Sequence, residues 1–147
     1  MSRQDSYNDL LPQIRNLIRN EPDRIANMAN ISALLFNSLS RVNWVGFYRV
    51  VDNNLILGPF QGNPACIRIR KNSGVCGTAL AQNKTVLVSD VHQFPGHIAC
   101  DPSSRSEIVI PCRENHRVFA VLDIDSPVIN RFDDIDKQYL EIIASLL

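Results

Sequence analysis

Asn43-Trp44-Val45-Gly46-Phe47-Tyr48-Arg49-Val50-Val51 is where the chain changes character. Aromatic and β-branched residues fill it, and these suit the pleated, half-buried surface of a strand. Asp52-Asn53-Asn54 supplies a turn and Leu55-Ile56-Leu57 a second short strand, so the stretch predicts a hairpin. Upstream, Tyr7, Leu10, Leu11, Ile14, Leu17 and Ile18 recur with a helical period, and Pro12 requires a helix start or a kink nearby. Glu21-Pro22-Asp23 opens a second helix, with proline in the first turn and acid at the positive end of the dipole. Its inward stripe reads Ile25, Met28, Ala29, Ser32, Leu35, Phe36 and Leu39. Downstream, Gly58-Pro59-Phe60-Gln61-Gly62 is turn-rich, Ala65 to Arg70 alternates as a third strand, and Val75 to Ala81 is a short helix. Thr85 to Val88, Glu107 to Cys112 and Val118 to Asp125 read as three more strands, and Asp133 caps a last helix carrying Tyr139, Leu140, Ile143 and Leu147 inward. This order predicts an α+β fold: a six-stranded, largely antiparallel sheet with helices packed on one face.

The chain of 147 residues fits a single domain spanning 1–147. Hydrophobic residues make up 45% and charged residues 20%, enough apolar surface for a core without staples. Lys plus Arg and Asp plus Glu each count 15, so no net charge draws the chain to nucleic acid or to an anionic membrane. No apolar run approaches the ~20 residues of a membrane span, and the polar start Met1-Ser2-Arg3-Gln4-Asp5-Ser6 lacks a signal-peptide core. The expected location is the cytoplasm, where structural disulfides are rare.

Cys66, Cys76, Cys100 and Cys112 are then core packing, metal ligands or redox groups. Their spacing contains no Cys-x-x-Cys pair, and His92, His97 and His116 add no zinc-finger pattern, although His92, His97 and Cys100 share one loop. Cys76, between Gly74 and Gly77 at a helix start, is the thiol that local electrostatics favours for a lowered pKa. Cys100 sits in the aperiodic loop from Asp90 to Ser104, a setting more often functional than structural. Alternation puts Cys66 on the face of Arg68 and Arg70, and Cys112 ends a strand beside Pro111. Asp123 and Asp125 share one face of their strand, and Glu107 opens the strand before it. Hairpin pairing would gather these carboxylates, and crowding would raise their pKa values. Trp44 and Tyr48, also on one face, are placed to wall an apolar pocket.

Several stretches together resemble the free methionine-R-sulfoxide reductase family, a branch of the GAF domains. They are Asn43 to Tyr48, Gly58 to Gly62, Gly74-Val75-Cys76-Gly77-Thr78, Asp90-Val91-His92, Phe94-Pro95-Gly96-His97-Ile98-Ala99-Cys100-Asp101, Ser106 to Val109, and Val121-Leu122-Asp123-Ile124-Asp125-Ser126-Pro127. The resemblance implies a GAF-like fold and a cytoplasmic homodimer. It implies reduction of free methionine-(R)-sulfoxide without a bound cofactor or metal, with thioredoxin, fed by NADPH through thioredoxin reductase, as external reductant. It places the nucleophile at Cys100 rather than Cys76, the resolving thiol at Cys66, and an alternative or relay thiol at Cys76. Glu107 with Asp125 would supply the proton, Asp123 would hold the substrate ammonium, and Trp44 and Tyr48 would contact its methyl and stem. Backbone N–H groups over Ile98, Ala99 and Cys100 would hold the carboxylate. A ligand-sensing GAF module without turnover, a dimerisation domain with incidental thiols and a zinc protein are the competing readings.

Overall fold

The structure, a computed structural model, describes residues 1–98 and 100–147. Two helices, α1 (Arg3–Ile18) and α2 (Arg24–Ser38), precede strands β1 (Trp44–Val51), β2 (Asn54–Gly62) and β3 (Arg68–Ile69). Helix α3 (Gly74–Gln82), strands β4 (Val86–Val88), β5 (Ser106–Glu114) and β6 (Arg117–Ser126), and helix α4 (Asp134–Ser145) complete the order. The six strands form one antiparallel sheet in the order β3-β2-β1-β6-β5-β4. Period-two alternation divides it into two faces. Val45, Phe47, Ile108, Ile110, Leu122 and Ile124 pack with α1, α2 and α4 in one core. Trp44, Tyr48, Val109 and Val121 face the other way, against Val75, Cys76, Ala79 and Leu80 of α3.

The antiparallel α+β architecture agrees with the sequence reading, and the opposite face is covered by α3 and by a short 3-10 turn, Val91–Gln93, whose Val91 is buried against it. The loop leading into α3 folds back tightly on it because Gly77 lacks a side chain: a Cβ there would lie 2.4 Å from the Arg70 carbonyl oxygen. Gly58 to Gly62 is strand rather than turn. Pro59 sits at an irregularity between the pairs Gly46↔Phe60 and Tyr48↔Leu57, where a missing N–H is tolerated. The third strand shrinks to Arg68–Ile69. Cys66 therefore lies outside the sheet, and the alternation with Arg68 and Arg70 does not apply to it. Pro12 lies inside α1. Helix α2 begins at Arg24 after an Asp23 cap, two residues later than Pro22 suggests; Ile25 and Ala29 face outward, while Met28, Ile31, Ser32 and Leu35 are buried. Leu17 is also turned outward.

Candidate active site

Strand register gathers the carboxylates. Glu107 of β5 lies directly opposite Asp125 of β6, and Val109 opposite Asp123. Trp44 and Gly46 of β1 pair with Asp125 and Asp123 from the other side. All of these point to the face covered by α3 and by the loop before β5. There Trp44, Glu107, Asp123 and Asp125 line a cleft of about 500 Å³, including the part open to solvent, with Tyr48, Cys76, His97, Ile98, Cys100 and Asp101.

The electrostatics of this cleft are one-sided. Its lining contains no Lys or Arg among the described residues, and its one histidine, His97, has its pKa lowered by burial and by His92. Burial, followed by repulsion from Asp123 and Asp125, pushes the Glu107 carboxyl well above its ordinary range. Asp125 is raised in the same way, by burial and then by Asp123. Asp123 is also raised by burial, and hydrogen bonds from Glu107 and Cys76 pull against that shift. Asp123 is 5% exposed, and its Oδ1 is buried with no hydrogen-bond partner among the described residues. A buried, unpaired carboxylate oxygen is costly, so this corner of the cleft favours a proton or a cationic ligand group.

The cysteines separate cleanly. Cys66 and Cys100, 34 residues apart in sequence, form a disulfide with Cα atoms 5.5 Å apart. In this state the Cys100 sulfur is not available to a metal with His92 and His97. Cys76 is buried and free, its Sγ 4.0 Å from Glu107 Oε2. Burial and the three acids raise its pKa well above that of an ordinary thiol, contrary to the lowering expected from its helix start. Desolvation and adjacent negative charge outweigh a single helix terminus. Cys112 is 0% exposed and belongs to the core across the sheet, with its pKa pushed up to about 12 by burial.

Aromatic groups close the inner wall. Trp44 stacks on Phe60 at 5.2 Å and on Tyr48 at 5.9 Å between ring centroids, and its Nε1 donates to the Asn63 carbonyl at 3.0 Å. The Tyr48 hydroxyl, kept neutral by burial and by the acids, donates to the Cys66 carbonyl at 2.8 Å. Ile98 reaches over Gly74, whose φ of +64 favours glycine and where a Cβ would meet Ile98 Cδ1 at 3.1 Å. The Cys100 N–H bonds to the Ile98 carbonyl at 3.0 Å, which removes it as a donor for a ligand carboxylate in this state. Ala99, the remaining residue expected there, lies outside the described residues.

Two residues of the site are not marked by any local sequence signal, although both lie in or beside β1. Asn43 ties the loop after Cys100 to the start of β1. Gly46 leaves room for the indole: a Cβ there would lie 2.7 Å from Trp44 Cη2 and 2.3 Å from Phe60 Cβ. Gly46→Ala is therefore expected to destabilise the protein by about 1–3 kcal/mol through overpacking, read as a lower denaturation midpoint. A midpoint equal to that of the parent would show that the wall yields freely.

Residues 26–147 match the GAF domain family. The Escherichia coli (strain K12) protein named free methionine-R-sulfoxide reductase is 48% identical over 147 residues, covering 99% of this chain and 89% of that one. The Saccharomyces cerevisiae protein of the same name is 38% identical over 155 residues, covering 100% and 86%. The solved free methionine-R-sulfoxide reductase of Neisseria meningitidis, in complex with its substrate, superimposes with a TM-score of 0.96 at 43% identity, covering 99% of this chain and 88% of that one. The chain belongs to the GAF domain family, in a branch that includes relatives named free methionine-R-sulfoxide reductase.

Proposed function

We propose that this protein reduces free methionine-(R)-sulfoxide to methionine, with Cys100 as nucleophile, Cys66 as resolving thiol and thioredoxin as returning reductant. The observation that carries the reading is the Cys66–Cys100 disulfide at the mouth of a cleft holding Glu107, Asp123 and Asp125. The relatives named for this activity support it.

The Cys100 sulfur attacks the sulfoxide sulfur, and the oxygen passes to Cys100 as a sulfenic acid while methionine leaves. The oxygen gains negative charge as this happens, so a carboxyl that is still protonated near neutrality lowers the barrier. Glu107, with Asp125 opposite it, fills that role. The Asp123 oxygen that lacks a partner pairs with the substrate ammonium. An amino acid inside a chain has no such group, and this selects the free form. Trp44 and Tyr48 offer their ring faces to the methyl and the stem, while the Tyr48 hydroxyl remains on Cys66. Cys66 then condenses with the sulfenic acid: the S–S bond forms, the S–O bond breaks and water leaves. A dithiol protein restores both thiols by exchange. The disulfide state described above is the oxidised end of this cycle. No helix is long and apolar enough to cross a membrane. A cytoplasmic homodimer completes the proposal, with Leu17 and Ile25, 44% and 49% exposed on α1 and α2, available for contact.

The test is NADPH consumption with thioredoxin and its reductase. Turnover of the free R epimer, with little from the S epimer or from an N-acetylated R form, is the expected result. Equal turnover of the blocked form would remove the ammonium assignment. Cys66→Ser is expected to release about one methionine per chain in a first turnover and then recycle poorly. Unchanged recycling would transfer the resolving role to Cys76.

A further inference from the structure

We infer that Asn43 is a positioning residue for closure of the Cys66–Cys100 disulfide. The inference rests on the exchange role proposed above for these two cysteines. Both cysteines lie in irregular backbone, where no sheet ladder sets their separation. Three side chains in and just before β1 do so instead. Tyr48 and Trp44 hold the Cys66 side, through the carbonyls of Cys66 and Asn63. Asn43 holds the Cys100 side: its Nδ2 lies 3.2 Å from Asp101 Oδ2, 3.2 Å from Ser103 Oγ and 3.2 Å from Ser104 Oγ. Its own backbone N–H donates to the Asp125 carbonyl at 3.0 Å, anchoring it to the strand of the acids.

The orientation of the Asn43 carboxamide is set by this contact. Asp101 accepts from the Ser103 N–H and Oγ, and these bonds lower its pKa, so it is ionised near neutrality. Turning the amide over would set its carbonyl oxygen against that carboxylate. The amide instead keeps its donors on the loop and leaves Oδ1 buried without a partner among the described residues. An unpaired buried oxygen costs about 1–3 kcal/mol, so the loop contact outweighs a real penalty. Asp101 is the residue after Cys100, and fixing it fixes one end of the arc through which the Cys100 sulfur moves. The aligned step is the condensation already written, in which Cys66 loses a proton, Cys100 loses its oxygen and water departs.

The experiment uses the fully reduced protein and one equivalent of either free methionine-(R)-sulfoxide or hydrogen peroxide. Peroxide makes the same sulfenic acid by transferring one oxygen to Cys100, with water as the other product. Quenched samples are read for sulfenic acid trapped on Cys100 and for the Cys66–Cys100 bond. Asn43→Ala is expected to close the disulfide about tenfold more slowly, with a long-lived sulfenic acid, because small misplacements of reacting groups are expensive. Asp101→Ala should reproduce the delay, and Asp101→Asn, which keeps an acceptor for Asn43, should restore most of the rate. Closure at the parent rate in folded Asn43→Ala and Asp101→Ala would overturn the inference. So would a slowing of sulfenic acid formation and closure by the same factor. If peroxide gives the delay while the sulfoxide releases no methionine even from the parent, the inference stands and the proposed activity falls.

Discussion

Cys100→Ser is expected to release no methionine above background, a loss on the order of 10⁴-fold or more. The size follows from the chemistry. The sulfoxide oxygen must be transferred to an atom that can be oxidised, and a serine hydroxyl cannot take that place. The remaining thiols are poorly suited to substitute. Cys76 is 4% exposed, and burial and the acids hold it protonated. Cys112 lies in the core on the other side of the sheet. The measurement is chromatographic detection of methionine, with trapping of sulfenic acid in parallel. Activity within tenfold of the parent would move the nucleophile to another cysteine.

Glu107→Gln is expected to lower turnover by about 10²- to 10⁴-fold, the usual contribution of a general acid. Glutamine fills the same space and has no proton to give. The parent's rate should fall as pH rises through the elevated pKa of Glu107, because the donor is then spent, and the variant should lack that limb. Stability carries the same sign. Above its ordinary range the carboxyl is ionised in the unfolded chain and still protonated in the fold. The fold then binds the extra proton, and its stability declines as pH rises towards the folded pKa. Glu107→Gln removes that decline, so at pH 8 the variant should be the more resistant to denaturant while being the less active. A variant that keeps the parent's rate and pH profile would show that the proton comes from elsewhere.

The acid cluster was legible because a strand's side-chain period is two. Glu107, Asp123 and Asp125 needed only hairpin pairing of β5 with β6 to meet, and the register pairs them as expected. Trp44 and Tyr48 followed from the same rule on β1. The location of Cys66 did not, because only Arg68–Ile69 of the six residues from Ala65 to Arg70 join the ladder, and alternation holds only where a ladder forms. The pKa of Cys76 was misread for a physical reason. A helix start is visible locally, whereas the burial and negative charge that dominate come from β5 and β6, far along the chain. The packing of α3 on the opposite face, the approach of Phe60 to Gly46 and the grip of Asn43 on the loop are contacts between separate segments, and no local pattern encodes them. The resemblance to the reductase branch pointed to Cys66 and Cys100, which local electrostatics alone would have passed over for Cys76.

The most direct test is a single turnover. The fully reduced protein is mixed with one equivalent of free methionine-(R)-sulfoxide, and the products are mapped by peptide mass. The expected products are one methionine per chain and a new bond linking Cys66 to Cys100, with the loss of two thiols and with Cys76 and Cys112 still free. Methionine release with all four thiols intact, or no release while the thiols remain reduced, would contradict the proposed cycle.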